Sequence, residues 1–255
     1  MERHKHEEDF LCHIVKFNTQ TAGRDKLCRL FQYTSKFAQW YVLQKHLDPE
    51  VAAKLKRLEN AISMTRKVLR FGKSFDLLHS SLSTIHISDT VLRLTITLSH
   101  INQALYLLVD HIVWASKIGL IETQRKYWSK LSARFWLVSL ILNLTRNIYD
   151  ISNLVQEEQK HLHQWDKRSQ YKNGIGGYKD IERKTPTSME IFQKCLRENH
   201  PVAIDTAKNF CDLLLPLSSL GFVKTSKGLQ GILGMISSYL SILTIWNPDL
   251  KLQNP

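Results

Sequence analysis

Arg66, Lys67, Arg70 and Lys73 place four fixed cations within one short stretch, with Val68, Leu69 and Phe71 among them. Residue types in this pattern bind phosphate-bearing surfaces rather than transform substrates. On a wheel at about 100° per residue, Leu55, Leu58, Ala61, Ile62, Val68, Leu69, Phe71 and Phe75 share one broad arc. Lys56, Glu59, Asn60, Ser63, Arg66, Lys67 and Arg70 share the other. Arg57 and Lys73 fall near the edges, where long side chains can snorkel. A helix of this kind can lie in a bilayer interface, apolar arc down and cations on lipid phosphates. A helix of a buried bundle carries the same signature, so both readings stand on periodicity alone.

No other group of residues makes a persuasive reactive centre. The chain has no GxSxG, no HExxH and no phosphate loop. Gly174-Ile175-Gly176-Gly177 follows no predicted strand and is no dinucleotide fingerprint. His4/His6 and His161/His163 are two residues apart, which does not put both rings on one helix face. His100 and His111 lie in an apolar helix and read as satisfied core groups. Cys12, Cys28, Cys195 and Cys211 show no metal-binding or disulfide spacing, and a reducing compartment fits them. Asn143-Leu144-Thr145 is a sequon inside an apolar helix and is discounted for that reason. The expectation is a non-enzyme without cofactor or metal.

The elements that position these residues are helices. Gly and Pro number 10 and 6, too few for a sandwich or barrel, and 43% hydrophobic residues can build a core or a membrane layer. The net charge of +12 points to a polyanion, either nucleic acid or an anionic lipid surface. No nucleic-acid motif accompanies it. The charged N-terminus has no apolar h-region, so no secretory signal is expected there.

Periodicity predicts helices over 18–46, capped by Asn18 or Thr19, and over 51–79, with Asp48-Pro49 as the break between them. A long apolar helix covers 89–121 and is interrupted by His100, Asn102, Gln103, Asp110 and His111. It is a possible first span with its polar groups turned inward, and Gly119 ends it. Another helix covers 125–156, and 157–187 reads as a polar linker. Residues 188–212 form one helix, or two broken at Pro201, and Pro216 interrupts the next apolar run. From Gly228 to Pro248 there is no charged residue, which makes 229–246 the best membrane anchor, with a buried core helix as the alternative. Gly228, Gly231 and Gly234, then Ser237 and Ser238, give it a small-residue side for close approach. Met235 lies mid-span and Trp246 sits at an interface position. The fold class is therefore all-α, with amphipathic interfacial helices and one or two spans. Its regions are an N-terminal extension 1–16, an amphipathic region 17–88, an apolar region 89–156, the linker, and 188–255 with the anchor.

Phe17-Asn18-Thr19-Gln20-Thr21-Ala22-Gly23-Arg24-Asp25-Lys26-Leu27, followed by Gln32-Tyr33, resembles the opening of the peroxin eleven family of peroxisomal membrane proteins. The resemblance continues through Arg66-Lys67-Val68-Leu69-Arg70-Phe71-Gly72-Lys73, His86-Ile87-Ser88-Asp89 and Ser99 through Tyr106. It runs on through Asp110-His111-Ile112-Val113-Trp114, Asn143-Leu144-Thr145-Arg146 and Gly231 through Ser238. It covers roughly 17–251 and is nearest the vertebrate alpha and beta types. The lack of a long glycine-rich run in the linker leans toward alpha. The resemblance implies elongation and division of peroxisomes, both termini in the cytosol, self-association, and partnership with the fission machinery of adaptor and dynamin-type GTPase.

The expected mechanism is insertion of 55–75 as a wedge into an anionic phospholipid membrane. Leu55, Leu58, Ile62, Leu69, Phe71 and Phe75 enter the acyl boundary, while Arg66, Lys67, Arg70 and Lys73 hold headgroups. Gly231, Gly234, Met235 and Trp246 mark the anchor. The alternatives are a solute channel lined by His100, Asn102, Gln103 and Asp110, and a scaffold that recruits fission machinery.

Overall fold

A computed structural model of the chain describes residues 2–173 and 186–253, with side chains over 11–165 and 186–253. Every long element among the described residues is an α-helix: α1 (Glu2–Thr19), α2 (Thr21–Gln44), α3 (Pro49–Leu69), α4 (Lys73–Thr84), α5 (Thr90–Lys117), α6 (Arg125–Asn173), α7 (Ser188–Glu198), α8 (His200–Leu220) and α9 (Lys227–Trp246).

Local chemistry sets most of the boundaries. The Asp48 carboxylate accepts from the Glu50 amide at 2.8 Å, and Pro49 takes the first helical position, where its missing N–H costs nothing. Asp89 caps α5 by accepting from the amides of Val91 and Leu92. The Tyr149 hydroxyl donates to the same carboxylate at 2.7 Å and, with those amides, holds Asp89 below the usual carboxylate range. Gly119, at φ 84°, follows the end of α5 as expected. Thr187 and Glu190 form a capping box on α7. The chain breaks at Asn199, so Pro201 belongs to the first turn of α8, and the two-helix reading of this stretch holds.

Four expected boundaries differ. The N-terminal stretch is helical up to Thr19, and Gln20 starts α2 without a side-chain cap, while the Thr19 hydroxyl donates back to the Lys16 carbonyl. The stretch 51–79 is two helices, because Gly72 takes φ 81°, which L residues rarely adopt. Residues 157–173, expected as linker, continue α6, whose run of Gln, Glu and Lys has good helix propensity whatever its polarity. Pro216 is accommodated inside α8. The Gly174–Gly177 stretch lies outside the described residues.

Packing closes the helices into a ring. α2 lies between α3 and α9, α9 packs on α8, α8 on α6, and α6 on α5, while α5 touches α3. α4 covers α5 from outside the ring order, and α7 joins α6 to α8. The interior is rich in polar groups: Asp25, Arg29, Ser99, Asp110, Ser139, Asn147, Asn209, Asp212, Ser237 and Ser238 are buried, beside Ile96, Ala104, Leu107, Leu140 and Leu215. Large apolar side chains face outward on every helix of the ring, among them Phe31, Leu58, Leu98, Leu105, Ile141, Phe210, Ile232 and Ile236. A ring with charge inside and hydrocarbon outside reverses the arrangement that water imposes. Among the described residues, α9 alone is long and apolar enough to cross a membrane by composition. Its 20 residues span about 30 Å at 1.5 Å per residue, the thickness of a hydrocarbon core.

Candidate functional site

The charged interior is built from acids on three helices and bases on four. Asp25 on α2 accepts from Arg66 Nε at 3.0 Å, and Arg70 Nε stands 3.8 Å from the same oxygen. Arg66 also donates to the Gln32 side chain at 2.8 Å. Asp110 on α5 holds Lys67 through one oxygen and Arg70 through the other, the latter at 3.0 Å. Arg70 reaches the Tyr106 hydroxyl at 3.0 Å. Across the ring, Arg29 on α2 donates to Asp212 on α8 at 2.5 Å, with side chains only 7% and 8% exposed. Lys208 pairs with Asp205 on its own helix, and Asp205 also accepts from Asn147 and Asn209.

These groups surround a cavity of about 350 Å³ between α2, α3, α5, α6 and α8. Lys26, Arg29, Arg66, Lys67, Arg70, Lys73 and Lys208 line it, against Asp25, Asp110 and Asp212. Tyr33, Tyr106, Ser139, Asn143 and Asn209 complete its polar wall. Asn143, the sequon asparagine, accepts from the Ser99 hydroxyl at 2.5 Å. Gln103 and Asp110, two of the four expected channel residues, line the cavity. His100 and Asn102 are not among its lining residues, and Asn102 donates to the Leu98 carbonyl of its own helix. His111 meets the Lys67 carbonyl at 3.1 Å, as expected of a satisfied polar group. Among the described residues nothing pairs with Nδ1 of His100, so that expectation does not hold for it.

The expected wedge residues therefore divide. Leu58, Phe71 and Phe75 are 48%, 68% and 70% exposed, while Leu55, Ile62 and Leu69 are half-buried. Arg66, Lys67, Arg70 and Lys73 turn into the ring, which corrects the expectation that they reach outward to headgroups. The physical reason for Arg66, Lys67 and Arg70 lies on neighbouring helices, where Asp25 and Asp110 offer carboxylates that outbid water and lipid for these cations. The exposed cations of α3 are Lys54 and Arg57, near its N-terminal end. Periodicity missed Asp25, Arg29 and Asp212, of which only Asp212, an acid inside the apolar run 210–215, gives a readable sign of internal pairing.

In α9, Gly228, Gly231 and Gly234 face α2. A Cβ on Gly231 would stand 2.8 Å from Phe37 Cβ, and one on Gly234 would stand 2.2 Å from Tyr33 Cγ. Only glycine permits that approach. Met235 is half-buried. Trp246 is partly exposed, with its ring 5.9 Å from that of Phe17.

The family model for Peroxisomal biogenesis factor 11 matches residues 11–246. Peroxisomal membrane protein 11B of Bos taurus is 37% identical over 94% of this chain and 98% of its own length. Peroxisomal membrane protein 11A of Mus musculus is 32% identical at the same coverage. Peroxisomal membrane protein PMP30A of Candida boidinii is 27% identical over 92% of this chain. Identity is higher to this 11B relative than to this 11A one, against the lean toward alpha drawn from the linker. No solved structure matches. With a match that runs from the middle of α1 to the end of α9, the chain belongs to the Peroxisomal biogenesis factor 11 family of peroxisomal membrane proteins.

Proposed function

We propose that the chain elongates the peroxisomal membrane ahead of division, by pressing the apolar outer face of α3 and α4 into one leaflet. The observation that carries this reading is the outward row of Leu58, Val68, Phe71, Phe75 and Leu82, all largely exposed. Hydrocarbon added to one leaflet at headgroup depth favours positive curvature. Lys54 and Arg57 supply the headgroup contact formerly expected of the buried cations. Each contributes on the order of 1 kcal/mol near an anionic surface. Multiple spans, cytosolic termini, self-association and recruitment of the fission machinery belong to the same reading.

The test is elongation of vesicles by the reconstituted full-length protein. Phe71→Glu with Phe75→Glu is expected to abolish elongation, and Lys54→Glu with Arg57→Glu to weaken it on anionic vesicles only. Undiminished elongation by the first pair would remove the wedge. A second reading, a solute pathway through the ring, draws on the polar cavity, and conductance across planar bilayers tests it.

A further inference from the structure

The interior charges do not balance. The carboxylates of Asp25, Asp110 and Asp212 are engaged by Arg66, Arg70, Lys67 and Arg29. Lys208 is held by Asp205. Lys26 and Lys73 line the same cavity, and among the described residues neither forms an ion pair or a hydrogen bond with a carboxylate. Arg29 spends one of its five N–H donors on Asp212, which leaves donors over at the cavity wall. Keeping two unpaired ammonium groups charged in a half-open cavity is costly unless an anion enters.

We propose that this cavity is a binding site for a phosphoryl group, with Lys26, Lys73 and Arg29 as its principal ligands. Its volume of about 350 Å³ suits a small molecule rather than a single ion. Lys26 and Arg29 line the cavity from α2 and Lys73 from the start of α4, and polar side chains of α5, α6 and α8 line the rest. Two ammonium groups and a guanidinium carry more N–H donors than one planar carboxylate can accept, whereas a phosphoryl group has acceptor oxygens all round. Lysines contribute as point charges, a common way to hold phosphate. The group can belong to a soluble phosphorylated compound or to a lipid headgroup whose tails lie along the apolar outside. The proposal stands apart from the wedge, since it uses none of the outward-facing residues.

The experiment measures the Tm of the full-length protein in nanodiscs. In phosphatidylcholine discs, inorganic pyrophosphate is titrated at constant ionic strength set with sodium chloride. In a second arm, phosphatidic acid replaces part of the phosphatidylcholine and no pyrophosphate is added. A saturable rise of about 5–10 °C at a hundredfold excess over Kd is expected. A response in the first arm assigns the site to soluble phosphates, and a response in the second arm alone assigns it to a headgroup. Lys26→Gln and Lys73→Gln break no ion pair, so both should fold, and each should raise Kd about tenfold or more. Arg197→Gln, on the exposed side of α7, should leave the response unchanged. No saturable rise in either arm would overturn the proposal. So would a rise in Lys26→Gln and Lys73→Gln equal to that of the unchanged protein, or loss of the rise in Arg197→Gln.

Discussion

Helices α3 and α9 present the same kind of outer surface and opposite kinds of inner surface. Outside, both show large apolar side chains: Leu58 and Val68 on α3, Ile232 and Ile236 on α9. Inside, α3 carries Arg66, Lys67 and Arg70 against carboxylates, whereas α9 carries Gly231, Gly234, Ser237 and Ser238 against α2 and its neighbours. Mean hydropathy sums the whole circumference, so it singles out α9 and passes over α3. In the proposed wedge, lipid meets only the outer arc. The difference teaches that burying a charge against a counter-charge can hide an apolar outer face from any average along the chain.

The largest expected effect breaks the inner surface on its charged side. Asp212→Ala leaves Arg29 buried without its carboxylate and is expected to cost about 3–5 kcal/mol. Thermal unfolding in detergent checks it, and Arg29→Met with Asp212→Leu should recover most of the loss. Next, Met235→Arg places a charge at mid-span of α9 and should cost about 2.5–3.5 kcal/mol of insertion. Alkaline extraction should then release the protein, while Met235→Leu stays in the membrane pellet. The smallest effect contrasts the two sides of α9. Gly231→Ala forces a Cβ onto Phe37 and should cost about 1–3 kcal/mol by overpacking. Ile232→Ala, one residue away but facing outward, should stay within about 0.5 kcal/mol in the same melting assay. Equal effects at 231 and 232 would mean that α9 does not present its glycines to α2 as described.

Helix boundaries were legible at Asp48-Pro49, Gly119 and Pro201, which all act locally. The small-residue side of α9 was legible because the glycine spacing of three admits one interpretation, a close neighbour. Which arc of α3 faces inward was not. An amphipathic helix has the same periodicity in water and in lipid, and only the partners on α2 and α5 decide the sign. Those partners are distant in sequence: Asp25 lies 41 residues from Arg66, and Asp110 lies 40 from Arg70. Gly72 was passed over because the apolar arc continues across it to Phe75, and periodicity does not register a change of axis. Polarity alone does not separate a loop from the helix of 157–173, because both are rich in charged and amide side chains.

That extended helix has a consequence for how the chain can change in length. α6 runs unbroken for 49 residues, about 74 Å at 1.5 Å per residue. Asn147 meets Asp205 of α8 on one stretch of it, and Glu158 meets Lys194 of α7 further along. One residue inserted between them would turn the later contact by about 100° relative to the earlier one. The two docking points are thus phased like teeth on one shaft, and only insertions or deletions close to a whole number of turns keep both engaged.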